Sequence, residues 1–304
     1  VVHRFRTYLS NLAVINRHNA AARTDPAIKF TMGVNQFTDL TGDEFARYTL
    51  GTRRSDSALL PSAPRSANSS KRNVWGGDAE IDWVAKGAVT PVKDQGKCGD
   101  CYAFGSTGAL EGLMFLNTGK LVSLSEQQLL DCSHTFGNQG CTGGRPYISF
   151  TYVKAKGLCS EAEYKYTGVQ GTCLASNCSS AITSGPSGWN FLPSHSEDSL
   201  YKALALQPVT VTIEADQTCF QHYESGVLTY DQCPCGAEGN LDHVVLVVGA
   251  GSQNGTDYWK VKNSWSTRWG EAGYVRLQRG WPGAQGSGMC LIANEGIVPT
   301  GVTG

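Results

Sequence analysis

Gln95-Gly-Lys-Cys-Gly-Asp-Cys-Tyr-Ala-Phe104 is the stretch from which the architecture can be worked out. Gly96 and Gly99 favour a turn, and the residues after it, Tyr102 to Asn117, form a long helix candidate in spite of Gly105, Gly108 and Gly112. Glycine lowers helix propensity, so this helix needs burial and close packing to persist. Cys101 therefore sits where a turn meets a helix start, and the partial positive charge there lowers a thiol's pKa. A cysteine nucleophile needs a thiolate, a base or cation beside it, and donors for an oxyanion. Two later stretches offer partners. His243 closes Asn240-Leu-Asp-His243, just before the strand candidate Val244–Val248. Asn263 lies in Lys262-Asn-Ser-Trp265, just after the strand candidate Tyr258–Lys262. Both stand at strand ends, where a lobe can present them to a facing cleft.

Outward from these stretches the chain changes texture. Phe5, Tyr8, Leu12 and Ile15 recur at intervals of three and four, which predicts an amphipathic helix over residues 1 to 20,. Thr41-Gly-Asp-Glu44 ahead of Phe45 reads as a capping box opening a second helix,. Residues 52 to 73 are rich in Ser, Arg, Ala and Pro and end at Lys71-Arg72, so they read as a linker with either a processing site or a solvated basic turn at its end,. Ser125 is an N-cap candidate for a helix to Leu130, whereas Val209–Ile213 and Gly273–Leu277 are further strand candidates,. Helices first and strands later predict an α+β fold with two lobes.

Composition narrows the class. The chain has 304 residues with 40% hydrophobic content, ordinary for a globular protein,. No apolar run approaches the ~18 residues of a spanning helix, so no membrane association is expected. The net charge of −1 is uneven: residues up to Gly76 carry 11 Lys and Arg against 5 Asp and Glu, +6, which leaves −7 for the remainder. A basic segment ahead of an acidic body suggests intramolecular docking. The basic residues are dispersed and lack interleaved aromatics, which argues against nucleic acid. Eleven cysteines point to an oxidising compartment, and the odd number leaves one thiol over,. The sequons at Asn68, Asn177 and Asn254 are candidate glycosylation sites and point the same way,.

The segment around Cys101, the His243 segment, and Lys262-Asn-Ser-Trp265 followed by Trp269-Gly270 resemble the catalytic segments of the papain family,. Gly140-Cys-Thr-Gly-Gly144 resembles the family's glycine-rich cleft wall, and the likeness runs in order from Ile81 to about Glu295. Arg4, Tyr8, Asn11, Ile15 and Asn19 resemble the helix motif of cathepsin-L-type propeptides, with Tyr where Phe is usual. Gly33-Val-Asn-Gln-Phe-Thr-Asp39 resembles the second propeptide motif. The first Glu of the helix motif would fall before Val1, so the resemblance implies a start inside the propeptide. It implies an α-helical inhibitory propeptide over 1–76, with a linker over 52–76, whose tail crosses the cleft against the direction of a substrate. A papain-like peptidase domain over 77–304 follows, with a helical left lobe (about 77–190) and an antiparallel, β-barrel-like right lobe (about 191–304).

In such an enzyme His243 takes the proton of Cys101 to give a thiolate–imidazolium pair, Asn263 orients the imidazole, Trp265 shields that bond, and Gln95 with the Cys101 N–H forms the oxyanion hole. The resemblance pairs Cys98 with Cys141, Cys132 with Cys173, and Cys290 with Cys235, for which Cys233 competes. Cys159–Cys178 and Cys219–Cys233 are the remaining assignments, and sequence alone does not settle them. The resemblance maps the main specificity pocket to Pro146, Thr212, Leu241 and Val244, with Glu295 at its base and Arg145 at its rim, and names Gly143, Gly144, Asp242 and Trp265 as further substrate-binding residues. Its mostly apolar wall suits Leu, Phe or Val two residues before the scissile bond. Glu295 adds acceptance of Arg there through a charge-assisted pair, unless it turns to solvent or pairs with Arg145.

Three residues depart from the family pattern: Asp100 where a small neutral residue is usual, Tyr102 for Trp, and Gly105 where Ser is common. An anion at position 100 would oppose thiolate formation. No insertion of the cathepsin B type is visible, which favours an endopeptidase. Expected partners are peptide and protein substrates, the chain's own propeptide and cystatin-like inhibitors. Neither metal nor cofactor is expected, the enzyme is expected to be a monomer, and its place is the secretory route, lysosome, vacuole or exterior. Acid is expected to release the propeptide between about pH 4 and 6, where carboxylates titrate. Competing readings are a Cys98-x-x-Cys101 redox pair, a zinc site at Cys233-Pro-Cys235 with His222 and His243, a non-catalytic storage or binding protein, and a protease inhibitor acting in trans through residues 1 to 76,.

Overall fold

The computed structural model describes residues 2–49, 80–182, 185–236 and 240–301. The linker, Lys71-Arg72 and Asn68 lie outside the described residues. The N-terminal segment forms α1 (Val2–Ala22), β1 (Phe30–Met32) and α2 (Gly42–Thr49). Of the four apolar residues expected to form one stripe on α1, Ile15 is buried and Tyr8 and Leu12 half-buried, but Phe5 is 60% exposed. The docking face is largely polar instead, because α1 lies against backbone whose carbonyls need donors. Asn11 Nδ2 donates to the carbonyls of Thr38 (2.8 Å) and Leu40 (2.9 Å). Asn19 donates to Met32 O at 2.6 Å and accepts from Met32 N–H at 2.9 Å. Arg4 reaches Asp39 O and Glu44. The capping box forms, with Thr41 N–H donating to Glu44 Oε2 (2.9 Å) and Glu44 N–H to Thr41 Oγ1 (3.3 Å),.

The body begins with β2 (Ile81–Asp82) and continues as helices α3 (Cys101–Thr118), α4 (Glu126–Cys132) and α5 (Pro146–Lys156). A short pair, β3 (Leu158–Cys159) and β4 (Ser180–Ile182), follows. The rest is mainly sheet: β5 (Gly188–Phe191), α6 (Glu197–Leu204), β6 (Val209–Ile213), α7 (Thr218–Gln221), β7 (Tyr223–Leu228), β8 (His243–Gln253), β9 (Thr256–Lys262), β10 (Tyr274–Gln278) and β11 (Glu295–Thr300). The large sheet runs β1-β7-β10-β9-β8-β6-β11-β5, with β2 on β8. Its pairs are antiparallel except β7–β10. β1 thus adds the N-terminal segment to the sheet edge, through Phe30↔Gly226 and Met32↔Tyr223. Among the described residues no helix is long and apolar enough to cross a membrane.

One apolar core holds α3, α4 and α5; the other fills the sheet and takes in Ile15, Phe30, Phe37 and Phe45 of the N-terminal segment. The two meet where α3 lies on β8. There the three glycines of α3 have their reason: a Cβ at Gly105 would come 2.6 Å from Val244 Cγ1, at Gly108 2.8 Å from Leu246 Cδ2, and at Gly112 2.8 Å from Pro208 Cγ. The glycines let backbone approach sheet, and the packing offsets their low helix propensity. Beside this seam Lys93 Nζ joins Glu126 (2.6 Å) and Glu111 (3.2 Å), and Lys262 reaches the same cluster through Thr90, whose hydroxyl donates to Glu111.

Gly105→Ser is expected to overpack this seam and lower stability by about 1–3 kcal/mol, read as an earlier urea midpoint. Adding Val244→Ala should restore part of the loss. An unchanged midpoint for Gly105→Ser would show that the helix–sheet contact is looser than described.

Candidate active site

Cys101 is the first residue of α3 and is buried, and its Sγ accepts the Val244 N–H of β8 at 3.3 Å. The residue before Val244 is His243, the first of β8. The strand therefore carries the imidazole on the residue next to the one whose N–H meets the sulfur. His243 Nε2 lies 2.8 Å from Asn263 Oδ1. An amide oxygen only accepts, so Nε2 carries the hydrogen and Nδ1 the lone pair. Nδ1 is buried without a hydrogen-bond partner among the described residues. Burial pushes the His243 pKa down to about 4, with the Asn263 bond opposing. The imidazole in this closed form is therefore neutral near pH 7.

Asn263 is held in turn. Its N–H donates to Gly273 O (3.0 Å), and its Oδ1 also accepts the Ser264 N–H (2.8 Å). The Trp265 ring stacks on His243 with centroids 4.6 Å apart and covers the His–Asn bond. Gln95 is buried in the loop before Cys101; its Oε1 accepts from Ser264 Oγ (2.6 Å) and its Nε2 donates to Cys98 O (2.8 Å). The loops at 95–98 and 263–265 thus lock each other.

Five disulfides are formed, Cys98–Cys141, Cys132–Cys173, Cys159–Cys178, Cys219–Cys233 and Cys235–Cys290. Cys101 is the thiol that none of them takes up. Cys98 is spent on Cys141, and Cys233 and Cys235 go to separate partners, which removes the basis for a Cys98–Cys101 redox pair and for a zinc site on Cys233 and Cys235.

Residues named for the specificity pocket come together from four elements. Thr212 of β6 lies opposite Val244 of β8 on one side and Glu295 of β11 on the other. Arg145 Nη1, next to Pro146 at the start of α5, reaches Glu295 Oε2 at 3.6 Å. Glu295 is only 5% exposed, so the reading that turns it to solvent is corrected: β11 begins at Glu295, paired with buried Thr212, which holds the residue inside the sheet. Burial raises the Glu295 pKa, and Arg145 opposes. Leu241 is buried, and Asp242 Oδ1 accepts the Ala215 N–H at 2.8 Å. Gly144 leaves no space for a side chain, since a Cβ would meet Asn138 Oδ1 at 2.5 Å and the Tyr102 ring at 2.7 Å. Gly143 adopts φ 124°, which favours glycine,.

The N-terminal segment lies on this site. Phe37 and Phe45 meet Trp265 edge-on, with centroids 5.4 and 5.2 Å away, and Gln36 Nε2 donates to Trp265 O at 2.6 Å. Gly33 N–H donates to His222 O (2.8 Å), Asn35 Nδ2 to Gln221 O (2.8 Å), and Gln221 Nε2 to Phe37 O (3.0 Å). The motif Gly33–Asp39 signalled its side of this contact. Its receivers Gln221 and His222 carried no signal for this contact, since they act through their carbonyls and the Gln221 amide.

Comparison with known proteins places the geometry. Residues 78–300 match the model of the papain family cysteine proteases, and residues 1–45 that of the cathepsin propeptide inhibitor domain. The chain belongs to the papain family. Among its papain-family relatives, germination-specific cysteine protease 1 of Arabidopsis thaliana is 42% identical over 97% of this chain and 77% of its own length. Digestive cysteine proteinase 2 of Homarus americanus is 45% identical over 83% of this chain and 76% of its own. The crystal structure of the ragweed pollen protease Amb a 11 in its proform aligns with TM-score 0.85 and 39% identity, over 99% of this chain and 89% of that one. A Carica candamarcensis cysteine protease in complex with E-64 aligns with TM-score 0.66 and 40% identity, over 73% of this chain and 98% of that one. The protein is thus a papain-family cysteine protease precursor, an α+β enzyme carrying a propeptide inhibitor domain.

Proposed function

We propose that this precursor matures to an endopeptidase in which Cys101 is the nucleophile and His243 its general base and acid. One observation carries the reading: the single thiol outside the disulfides sits on a helix N-terminus, bonded to the N–H that follows His243. Nδ1 of His243 takes the thiol proton, and the thiolate attacks the peptide carbonyl carbon. The N–H of Cys101 and the amide of Gln95 receive the oxyanion. The C–N bond breaks as His243 returns the proton to the leaving amine. Water, deprotonated by His243, then releases the acyl group and regenerates the thiol. Asn263 holds the tautomer and Trp265 keeps water off that bond. The segment 1–76 inhibits in cis, and the peptidase portion begins near residue 77, with lobes meeting near residue 190. The competing reading as a storage or binding protein lacks support from a site in which each of these groups is held. The expected setting is the secretory route, a vacuole or lysosome, or the exterior, consistent with five disulfides,. Asn177 and Asn254 are exposed and open to glycosylation. The mature enzyme acts as a monomer on peptides and proteins and accepts cystatin-like inhibitors. After acid treatment an epoxide-type cysteine-protease inhibitor should label the wild type and not Cys101→Ala; equal labelling of both would end the assignment.

Arg145 and Glu295 neutralise each other at the base of the specificity pocket, which leaves an apolar wall and favours Leu, Phe or Val two residues before the cut. Arg at that position must displace Arg145. The expected kcat/KM for Phe therefore exceeds that for Arg by about tenfold or more, the scale of one charge pair, and Arg145→Leu narrows the gap. An Arg substrate cleaved as fast as Phe by the wild type would overturn this.

Acid removes the propeptide. His222, whose carbonyl receives Gly33, is buried with neither ring nitrogen hydrogen-bonded, and burial pushes its pKa down to about 4. A histidine depressed in this way is neutral in the fold. It weakens the fold progressively as pH drops from its ordinary value of about 6.5 toward about 4, and has no effect above that range. Conversion to the mature form is expected to be faster at about pH 4.5 than at about pH 7.5, and His222→Phe should move its midpoint to lower pH. Faster conversion at the higher pH would refute the proposal.

A further inference from the structure

Asp100 precedes the nucleophile and stands in the N-cap position of α3, yet its side chain makes no capping bond. It is fully buried and turns to Tyr166, whose hydroxyl lies 3.0 Å from Oδ1 and 2.9 Å from Oδ2. The same hydroxyl lies 3.0 Å from the carbonyl oxygen of Gln95. Tyr166 is itself fixed, its ring edge-on to Phe104 at 5.0 Å and its N–H donating to Glu161 at 2.8 Å.

Proton counting bears on the state of this cluster, and burial of the carboxyl favours the neutral one,. A phenol has one hydrogen and here faces three oxygens. If Asp100 is ionised, that hydrogen goes to the carboxylate, and the Gln95 carbonyl then faces a phenol oxygen at 3.0 Å with no proton between them. If Asp100 is protonated, its O–H donates to the phenol oxygen and the phenol donates to Gln95. Two of the three short contacts then contain a hydrogen, the second carboxyl oxygen being the one left without, and no charge is buried,. The groups around it agree. From its own helix come the Cys101 thiol and the Tyr102 phenol, from the 165–173 loop Tyr166, and from α4 the carboxyl of Glu126. Burial raises the Asp100 pKa well above the ordinary carboxyl range, and Glu126 raises it further, against the pull of the Tyr166 hydroxyl and of the Asp100 backbone N–H.

We propose that Asp100 is held as a neutral acid whose proton runs through Tyr166 to the Gln95 carbonyl, making it a positioning residue for the turn between Gln95 and Cys101 and setting the upper pH limit of thiolate chemistry there. The effect on stability has a defined sign. An acid with a raised folded pKa contributes fully below its ordinary value of about 3.9 and loses that contribution as pH rises through the folded pKa. Above that point the relay to Gln95 breaks and an anion stands beside the sulfur, which disfavours the thiolate. The residue that departs most in charge from the family pattern thus suits an enzyme working in acid.

The kinetic part of this inference rests on Cys101 being the nucleophile; the protonation state does not. Infrared difference spectra of the wild-type precursor carrying carboxyl-labelled aspartate, against Asp100→Asn, should show a protonated-carboxyl band at about pH 6, where an ordinary aspartate is ionised. Tyr166→Phe should shift that band. Its absence would overturn the proposal, and titrating the wild-type band against pH decides the matter even if a variant fails to fold. In the mature enzyme the rate of Cys101 alkylation by iodoacetamide is then followed against pH. Asp100→Asn keeps a donor without a titrating proton, so its alkaline limb should move up by about one pH unit or more. Asp100→Ala breaks the relay and should slow alkylation about tenfold at every pH. An unmoved limb in Asp100→Asn would remove the pH role. No alkylation in the wild type would instead remove the nucleophile assignment, with the infrared result intact.

Discussion

The contact between the first turn of α3 and the first residues of β8 is what the rest of the structure depends on. It sets Cys101 Sγ on the Val244 N–H and so fixes the sulfur relative to His243. Because a strand projects successive side chains to opposite faces, Val244 can pack on Gly105 while His243 turns toward Asn263. The glycine stripe of α3, the Lys93–Glu111–Glu126 cluster and the reciprocal bonds of Gln95 and Ser264 all hold this seam. The chemistry therefore inherits its precision from core packing, where a displacement of a few tenths of an ångström meets hard contacts.

Much of this was legible in the sequence, for reasons that differ by residue. Glycines before a helix start, a histidine at one strand end and an asparagine at another are local signals, and their combination carried the fold and the candidate site. The capping box at Thr41–Glu44 was readable because it is written in four consecutive residues. The face of α1 was not. Periodicity pointed to Phe5 with Ile15, but α1 meets backbone carbonyls, and there Asn11 and Asn19 are the useful side chains. Hydrophobic spacing reports burial against apolar surfaces and is silent about a helix that docks by hydrogen bonds. Glu295 shows a different limit: the sequence left it open between solvent, a substrate Arg and Arg145, and the burial of β11 beside β6 removes the first of these.

Tyr166 and His222 were invisible for a further reason. Neither belongs to a local pattern, and each acquires its role from a segment far away in the chain. Tyr166 meets Asp100 across 66 residues. His222 matters because Gly33 uses its carbonyl and because neither ring nitrogen has a hydrogen-bond partner among the described residues. Groups of this kind are found by asking which buried polar atoms lack a consistent hydrogen assignment, a question that needs coordinates.

Trp265 links the two halves of the precursor. One face of its environment is the imidazole it stacks on, and the other is Phe37 and Phe45 of the propeptide domain. Docking the propeptide completes an aromatic cluster that also includes Phe220 and Trp269. The surface that shields the His243–Asn263 bond from water is thus the surface the propeptide grips. A substitution that loosened this grip by shrinking Trp265 would also expose that bond. Release of the propeptide is therefore better served by groups beside the cluster, at the strand edge where Gly33 meets His222, than by the cluster itself. That arrangement separates the strand edge where Gly33 meets His222 from the groups that hold the imidazole.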